Sequence, residues 1–513
     1  MKKLPIGIQT FETLIRDGYY YADKTPFIHE LANSGVYYFL SRPRRFGKSL
    51  FLSTLRAAYE GKRELFEGLF LADHWDWSKR HPVVHLSFGL GVHRSVDELR
   101  GNFAFMLDEH FRRAGLVSTY PEPTTRFAEL IRALFEQSAQ RVVLLVDEYD
   151  KPILDNIEQP DLAAALRDEL KSIYSVIKDS DSYLELVFLT GVSKFSKVSL
   201  FSGLNNLEDL TLAPHASAIC GYTQAELEEV FAERLVDVDL ARVKAWYDGY
   251  RWLGESVYNP FDILLFLKSK VFRSYWFETG TPSFLVKALR RQGYPMARLE
   301  ELVVGEEIAS NFELEDLSVE ALLFQAGYLT IEAEEQLGAF RRYRMGYPNL
   351  EVKASLANAM LTELTQDRLA KTETQSRLLD ALLHGEPAAL EAIFRAFFAS
   401  IPHDWYRKNE LAAYEAYYAS VFYCYFSALG LDVRAEDSTS HGRIDLSVRL
   451  EKLAYVFEFK LSDEEGSGAI GLAQIKAKGY QQKFMDGVRR VFLVGVSFDK
   501  KSRNITHFAF EQA

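Results

Sequence analysis

At 513 residues the chain exceeds one ordinary hydrophobic core, so two or three domains are expected. With 48% hydrophobic and 26% charged residues it has a globular composition that excludes wholesale disorder, and its longest apolar run, 421–431, is too short to span a membrane. The net charge of −12 excludes a general basic coat for non-specific DNA binding; the first 400 residues carry all of it, with 45 Lys and Arg against 57 Asp and Glu.

The opening MKKLPIGIQTFETLIRDG has two lysines but no apolar run behind them, so a cytoplasmic chain with no membrane partner is expected. Over residues 1–215 short apolar runs alternate with helical stretches, the rhythm of a parallel α/β sheet. Strands are predicted at 36–40, 83–88, 142–146, 184–190 and 209–212.

The first of these, VYYFL, leads through SRPRRFGKS into the apolar helix LFLSTLRAAYEG, the strand–loop–helix order of a phosphate-binding loop. Such a loop needs backbone N–H groups around the phosphates, a glycine for close approach, a lysine for the β- and γ-phosphates and a hydroxyl for Mg²⁺. Gly47, Lys48 and Ser49 supply the last three, within a binding stretch of Arg44, Arg45, Phe46, Gly47, Lys48, Ser49 and Leu50. Arg42 stands where the first glycine is usual, Pro43 stiffens the turn, and Arg42, Arg44 and Arg45 are expected to add positive charge beside a polyphosphate.

RVVLLVDEYDKPI is a buried strand ending in Asp147 and Glu148. Acids at the C-terminal edge of a parallel sheet point into its ligand crevice, where Asp147 would hold the magnesium's water shell and Glu148 would orient the attacking water. The strand LELVFLT ends at Thr190, with Ser193 and Lys194 after it.

At 221–235 a capping box of Thr223 and Glu226 opens a mostly helical section, followed by paired strands within 327–349. The charged stretch 365–378 and HGEP at 384–387 mark a further boundary, giving expected regions of 1–215, 216–365 and 366–513. Cys220 and Cys424 have no metal-ligand or disulfide spacing and read as buried free thiols. There is no internal repeat.

HGRIDLSVRL and LAYVFEFKL read as a hairpin of strands at 443–449 and 455–461. Period-two alternation separates Asp445 from Ile444, Leu446 and Val448, and puts Glu458 and Lys460 on the face opposite Phe457, Phe459 and Leu461. Glu-x-Lys on a strand also suits an exposed ion-paired face, but here the flanks are apolar on both sides, and buried charges need a partner or a function. Three charged groups thus converge at one end of the hairpin.

LPIGIQTFETLIRDGYYYADKTPFIHEL, RPRRFGKS, VDEYDKPI, LTGVSKFSKVSLFSGLNNLEDLTL, WYDGYRW…VYNP and YPNLEV, in this order, resemble the AAA-ATPase-like family of bacterial and archaeal proteins, whose members typically end in a PD-(D/E)XK nuclease-superfamily domain. The resemblance implies an α/β fold in three parts. A P-loop NTPase of the ASCE/AAA type, its parallel sheet sandwiched by helices, would lead to a mostly helical, winged-helix-like lid and then to an α/β nuclease-like domain. Arg42 fits that family's own RPRRFGKS form.

Residue by residue, the resemblance implies that Thr190 senses the γ-phosphate, that Tyr20–Lys24 and VYNP (257–260) lie near the nucleotide, and that Arg251 or a neighbouring subunit's arginine completes the charge stabilisation. In the C-terminal part it implies Asp445, Glu458 and Lys460 as the catalytic set, the carboxylates binding Mg²⁺ or Mn²⁺ through hard oxygen ligands and Lys460 orienting the water that attacks a phosphodiester, with Glu415 as a further metal ligand and Gln474 and Lys478 as nucleic-acid contacts. Two positions depart from the pattern. Tyr480 follows Gln474 by six residues rather than the four of RecB-like nucleases, and Ile444 precedes Asp445 where proline is typical.

The combination is expected to bind and hydrolyse ATP with Mg²⁺ and to control a metal-dependent DNA endonuclease, with oligomers as an open possibility. The same motifs also fit a nucleotide-dependent switch whose last domain binds nucleic acid or a partner protein without cutting. A kinase is disfavoured because no glycine-rich loop and catalytic-loop aspartate accompany Lys48.

Overall fold

The computed structural model describes residues 1–194, 206–277, 283–292, 294–306, 318–365, 368–400, 415–439, 442–461, 468–485, 490–499, 502 and 504–513. In it the N-terminal apolar runs become strands β1 Tyr37–Ser41, β2 Val83–Ser87, β3 Val142–Asp147, β4 Leu184–Gly191 and β5 Glu208–Asp209. They form one sheet in the order β2-β3-β4-β1-β5, every neighbouring pair parallel. β1 and β3 are buried along their whole length, because helices such as Val96–Ala114, Pro123–Ser138 and Pro160–Asp179 connect and cover parallel strands. The order has a functional consequence. β4 lies between the strand that feeds the phosphate loop and the strand that ends in Asp147.

β5 is shorter than expected and begins earlier. Leu210 still donates to the Phe39 carbonyl at 2.8 Å, but at Thr211 side-chain bonds replace the ladder: Thr211 Oγ1 accepts the Ser41 N–H at 3.1 Å and its carbonyl accepts from Arg42 at 2.9 Å. The capping box is present, with Glu226 N–H on Thr223 Oγ1 and Thr223 N–H on Glu226 Oε2. Its helix, Gln224–Val230, ends before 235, where Phe231 turns in against Tyr20 and Tyr222.

By packing, the chain divides into two units: 1–280 with 303–344, and 281–302 with 345–513. The chain therefore passes from one to the other three times, and the stretch 216–365 contributes to both. The first unit also holds, but for its terminal residues, a small sheet in the order β6-β8-β7, formed by β6 Leu302–Gly305, β7 Thr330–Leu337 and β8 Phe340–Gly346. The charged stretch after 365 runs into the helix Arg368–His384, and HGEP links it to the helix Pro387–Ser400.

The second unit is built on a mixed sheet of β9 Asp432–Thr439, β10 Gly442–Arg449, β11 Leu453–Leu461, β12 Arg490–Phe498 and β13 Ile505–Gln512. Its order is β13-β12-β11-β10-β9, antiparallel except for the central β11–β12 pair. Phe457 and Phe459 of β11 pack on Phe422 of the helix Glu415–Ala428, while Ala454 and Val456 pack with Ile475, Tyr480 and Phe484. Both faces of the central strand are thus covered. In the same unit the Glu300 carboxylate accepts from the Tyr423 hydroxyl (3.0 Å) and the Ala435 N–H (3.1 Å) and binds the Lys353 ammonium.

Asp437 on β9 is buried among Lys483 (2.5 Å), the Ser447 hydroxyl (2.8 Å) and Arg449 (3.3 Å). Burial pushes its carboxyl up, but the Lys483 and Ser447 hydrogen bonds and the two cations outweigh that and hold it below the usual carboxylate range. A depressed carboxylate stabilises the fold above its unfolded pKa and loses that contribution as pH falls through the folded value. Asp437→Asn should therefore cost about 1–2 kcal/mol at neutral pH, and the gap to wild type in urea unfolding should close at acidic pH, below the ordinary aspartate range.

Cys220 and Cys424 are free and buried, as expected. Among the described residues no helix is long and apolar enough to cross a membrane.

Candidate functional site

The phosphate loop leaves β1 at Ser41 and enters the helix Lys48–Tyr59. Gly47 caps that helix at φ +94°, a conformation side chains resist, and Arg45 is also left-handed at φ +70°. The helix N–H groups thereby face the loop. Lys48 is buried, and its Nζ donates to the carbonyls of Arg42 (2.8 Å) and Pro43 (2.9 Å). Burial lowers the pKa of this ammonium against the opposing charge of Asp147.

Arg42 corrects the expectation of an arginine beside the phosphates. It is 1% exposed, donates to the carbonyls of Ser41, Thr211 and Ala216, and lies 4.0 Å above the Trp252 ring. Burial pushes its pKa down to about 10. Its planar fork fastens the loop to residues 211–216, a geometry lysine does not reproduce. Arg42→Met and Arg42→Lys should each destabilise the protein in urea unfolding, the former by about 3 kcal/mol as the carbonyls lose their donor. Arg44 and Arg45 are exposed, with Arg45 5.1 Å over Phe261, and Phe46 packs on Tyr250 and Trp252.

A cavity of about 520 Å³ opens over the loop, lined by Arg44 to Leu50, Ser49 included, and by Glu148, Asp150 and Val192. That volume suits a nucleotide. Pro260 of VYNP lines it with Ile8 and Phe261, while Tyr20–Ala22 and Lys24 line a smaller neighbouring cavity that also touches Gly47 and Leu50. Arg251 is exposed, and its N–H donates to Thr330 Oγ1.

At the end of β3, Asp147 is buried and accepts the Glu148 N–H at 3.0 Å. Glu148 takes φ +52°, and its carboxyl is raised by burial and by Asp147. Gly89 makes room for it, since a Cβ there would sit 2.9 Å from Glu148 Oε2. Thr190 at the end of β4 is fully buried, and its Oγ1 has no hydrogen-bond partner.

Asp150, which was not predicted from sequence, is the buried clamp of this region. Its carboxylate accepts from the Val192 N–H (3.0 Å), the Ser193 N–H (2.6 Å) and the Ser193 hydroxyl (2.5 Å). The fourth letter of DEYD was its only signal. Residues 195–205 of the next motif lie outside the described residues.

In the second unit the β10–β11 ladder closes at Leu446 opposite Phe457, one residue short of Asp445 and Glu458 on the two strands. Asp445 Oδ2 accepts the Phe459 N–H at 2.7 Å. Glu458 is 1% exposed, and its Oε1 accepts from Lys460 Nζ at 3.0 Å and from Gln474 Nε2. Asp445, Glu458, Lys460 and Gln474 therefore come together.

Tyr480 joins them in spite of its spacing. The helix Gly468–Lys478 closes at Gly479 with φ +62°, and a 3₁₀ turn swings Tyr480 back so that it hydrogen-bonds Gln474 and feels the charge of Glu458. Its hydroxyl is raised by burial first and by Glu458 second. Lys478 is exposed. Glu415 opens its helix, but its side chain lies outside the described ones.

Two adjacent carboxylates and a lysine suit Mg²⁺, which is usually held by one or two carboxylates and completed by water and phosphate oxygens. Among the described residues no cluster of three or more His, Cys, Asp or Glu is present. At the first site Ser49 and Asp147 offer the hydroxyl and carboxylate oxygens that a nucleotide-bound magnesium takes.

Sheet order, loop and acids together define an AAA-like P-loop ATPase domain, and the mixed sheet around Asp445 and Glu458 a nuclease-like one. Residues 5–201 match the family described as Predicted AAA-ATPase, and residues 413–508 match the PD-(D/E)XK nuclease superfamily. The chain is also 51% identical over 512 residues to the "Uncharacterized protein in vnfD 5'region" of Azotobacter chroococcum mcd 1, covering 99% of each. It belongs to the AAA-ATPase-like family with a C-terminal PD-(D/E)XK nuclease-superfamily domain.

Proposed function

We propose that the protein hydrolyses ATP at its N-terminal site and cuts DNA phosphodiester bonds at its C-terminal site, the first activity controlling the second. The observation that carries the proposal is Glu458, a carboxylate 1% exposed on the central strand and bound to Lys460 and Gln474, with Asp445 accepting the N–H of the next residue, Phe459. Burying such a cluster is costly, and strongly desolvated carboxylates with a defined cation partner mark functional sites.

Lys48 and the opening N–H groups of its helix would hold the β- and γ-phosphates, Ser49 and Asp147 the magnesium and its water, and Thr190 the γ-phosphate. Glu148 would orient the attacking water, which its half-buried place on the cavity wall allows. Asp445 and Glu458, with Glu415, would hold Mg²⁺ or Mn²⁺, which supplies Lewis-acid activation of the phosphodiester when bound. Lys460 would position the water, and Gln474 and Lys478 would meet the nucleic acid. Arg251 or a neighbouring copy's arginine would complete the ATP site in an oligomer, and the setting would be the cytoplasm. The three chain crossings between the units support coupling of the two activities.

A second reading, binding without cutting, is favoured by one observation: Lys460 and Gln474 both bond Glu458 Oε1, the charge compensation that a purely structural carboxylate would use. Incubating the purified full-length protein with supercoiled plasmid, with and without Mg²⁺ or Mn²⁺ and ATP, separates the two. Metal-dependent nicking that ATP changes supports the nuclease. ATP hydrolysis and DNA retention with no nicking under any condition establish the binding switch.

A further inference from the structure

The helix Val319–Ala326 ends against both halves of the nucleotide site. Its Gln325 is 6% exposed, and Oε1 accepts the Lys194 N–H at 3.2 Å, one residue beyond the Ser193 that Asp150 clamps. The Lys194 ammonium is fixed in turn to Asp209 of β5 at 2.5 Å. Two residues past Gln325, Gly327 adopts φ +89°, and a Cβ there would fall 2.8 Å from the Pro43 ring. The Pro43 carbonyl is one of the two that hold Lys48.

One short stretch, 325–327, therefore touches the end of β4 and the phosphate loop. Its polar bookkeeping is incomplete, since Gln325 Nε2 is buried with no hydrogen-bond partner, and so is Thr190 Oγ1 on β4. A buried polar atom without a partner loses its hydration without compensation. Thr190 belongs to β4 itself, and Gln325 bonds the segment that follows β4.

We infer that Gln325 is a positioning residue that transmits the state of the nucleotide site to the segment 318–330. The inference rests on the nucleotide reading above and adds a route. A phosphate that draws Lys48 Nζ away frees the Pro43 carbonyl, and Gly327, packed on Pro43 without slack, moves with the loop. Gln325 keeps the helix end in step with β4 through Lys194. The effect is reciprocal for binding, so the held helix end also tunes nucleotide affinity.

The test is backbone amide exchange of residues 318–330 in the full-length protein, with and without a non-hydrolysable ATP analogue and Mg²⁺, in wild type and in Gln325→Met. Methionine conserves volume, and thermal melting reports whether the variant is folded. In wild type the analogue should change exchange over 318–330 by about threefold or more. In Gln325→Met, which leaves the Gly327–Pro43 contact in place but removes the tie to Lys194, that change should fall by about half or more, while analogue affinity stays within about fivefold. If wild type binds the analogue and 318–330 does not respond, the inference is overturned and the nucleotide reading stands. A full response in Gln325→Met also overturns it. Failure of wild type to bind the analogue overturns both.

Discussion

Replacing Lys460 by alanine is expected to lower metal-dependent plasmid nicking by about 10²–10⁴-fold while ATP hydrolysis stays within about twofold of wild type. The ammonium lies 3.0 Å from a carboxylate that is 1% exposed, so its removal takes away both the group that would position the attacking water and the charge that stabilises Glu458. Asp445→Asn separates chemistry from folding. Its amide oxygen can still accept the Phe459 N–H that Asp445 accepts at 2.7 Å, so β10 and β11 stay joined while one of the carboxylates proposed to hold a metal loses its charge. Equal loss of nicking in Lys460→Ala and Asp445→Asn, with unfolding midpoints near wild type, would fit the assigned roles. Nicking that survives in both would place the chemistry elsewhere.

Lys48→Ala should lower ATP turnover by about 10²–10³-fold, the cost of removing one preorganised cation from developing charge. Lys48 is held by the carbonyls of Arg42 and Pro43 at 2.8 and 2.9 Å, poised over the cavity rather than projecting into solvent. Burial lowers its pKa, and the negative charge of a polyphosphate beside it would favour the charged form. Steady-state phosphate release and fluorescent-nucleotide titration should both report the loss. Under the coupled reading, nicking by Lys48→Ala becomes independent of ATP. Turnover unchanged in this variant would remove the loop from the reaction.

Much of the nucleotide half was legible because strands buried on both faces read as unbroken apolar runs, and β1 to β4 fall within a residue or two of the predicted spans. The site acids were legible because each sits where such a run stops. β5 was not, because side-chain bonds of Thr211 and Arg42 displace its ladder, and these depend on residues about 170 positions apart. Arg42 was misplaced for the same reason: sequence shows its charge, but only the fold shows that carbonyls and an indole ring enclose it. In the C-terminal unit the hairpin and its three charged residues were visible from alternation. The convergence of Gln474 and Tyr480 was not, since a left-handed Gly479 lets a six-residue spacing reach the same place. β9, β12 and β13 carry less distinctive patterns and take their places through pairing with β10 and β11.

The threading of the chain also decides how the molecule can be dissected. A fragment begun at residue 345 omits Glu300, and so takes its carboxylate away from Lys353, the Tyr423 hydroxyl and the Ala435 N–H. Such a fragment exposes a groove that the excised peptide used to fill, and poor solubility or inactivity in it would say nothing about the nuclease chemistry. A faithful isolated C-terminal half is a graft, with residues 281–302 spliced through a short linker onto 345–513.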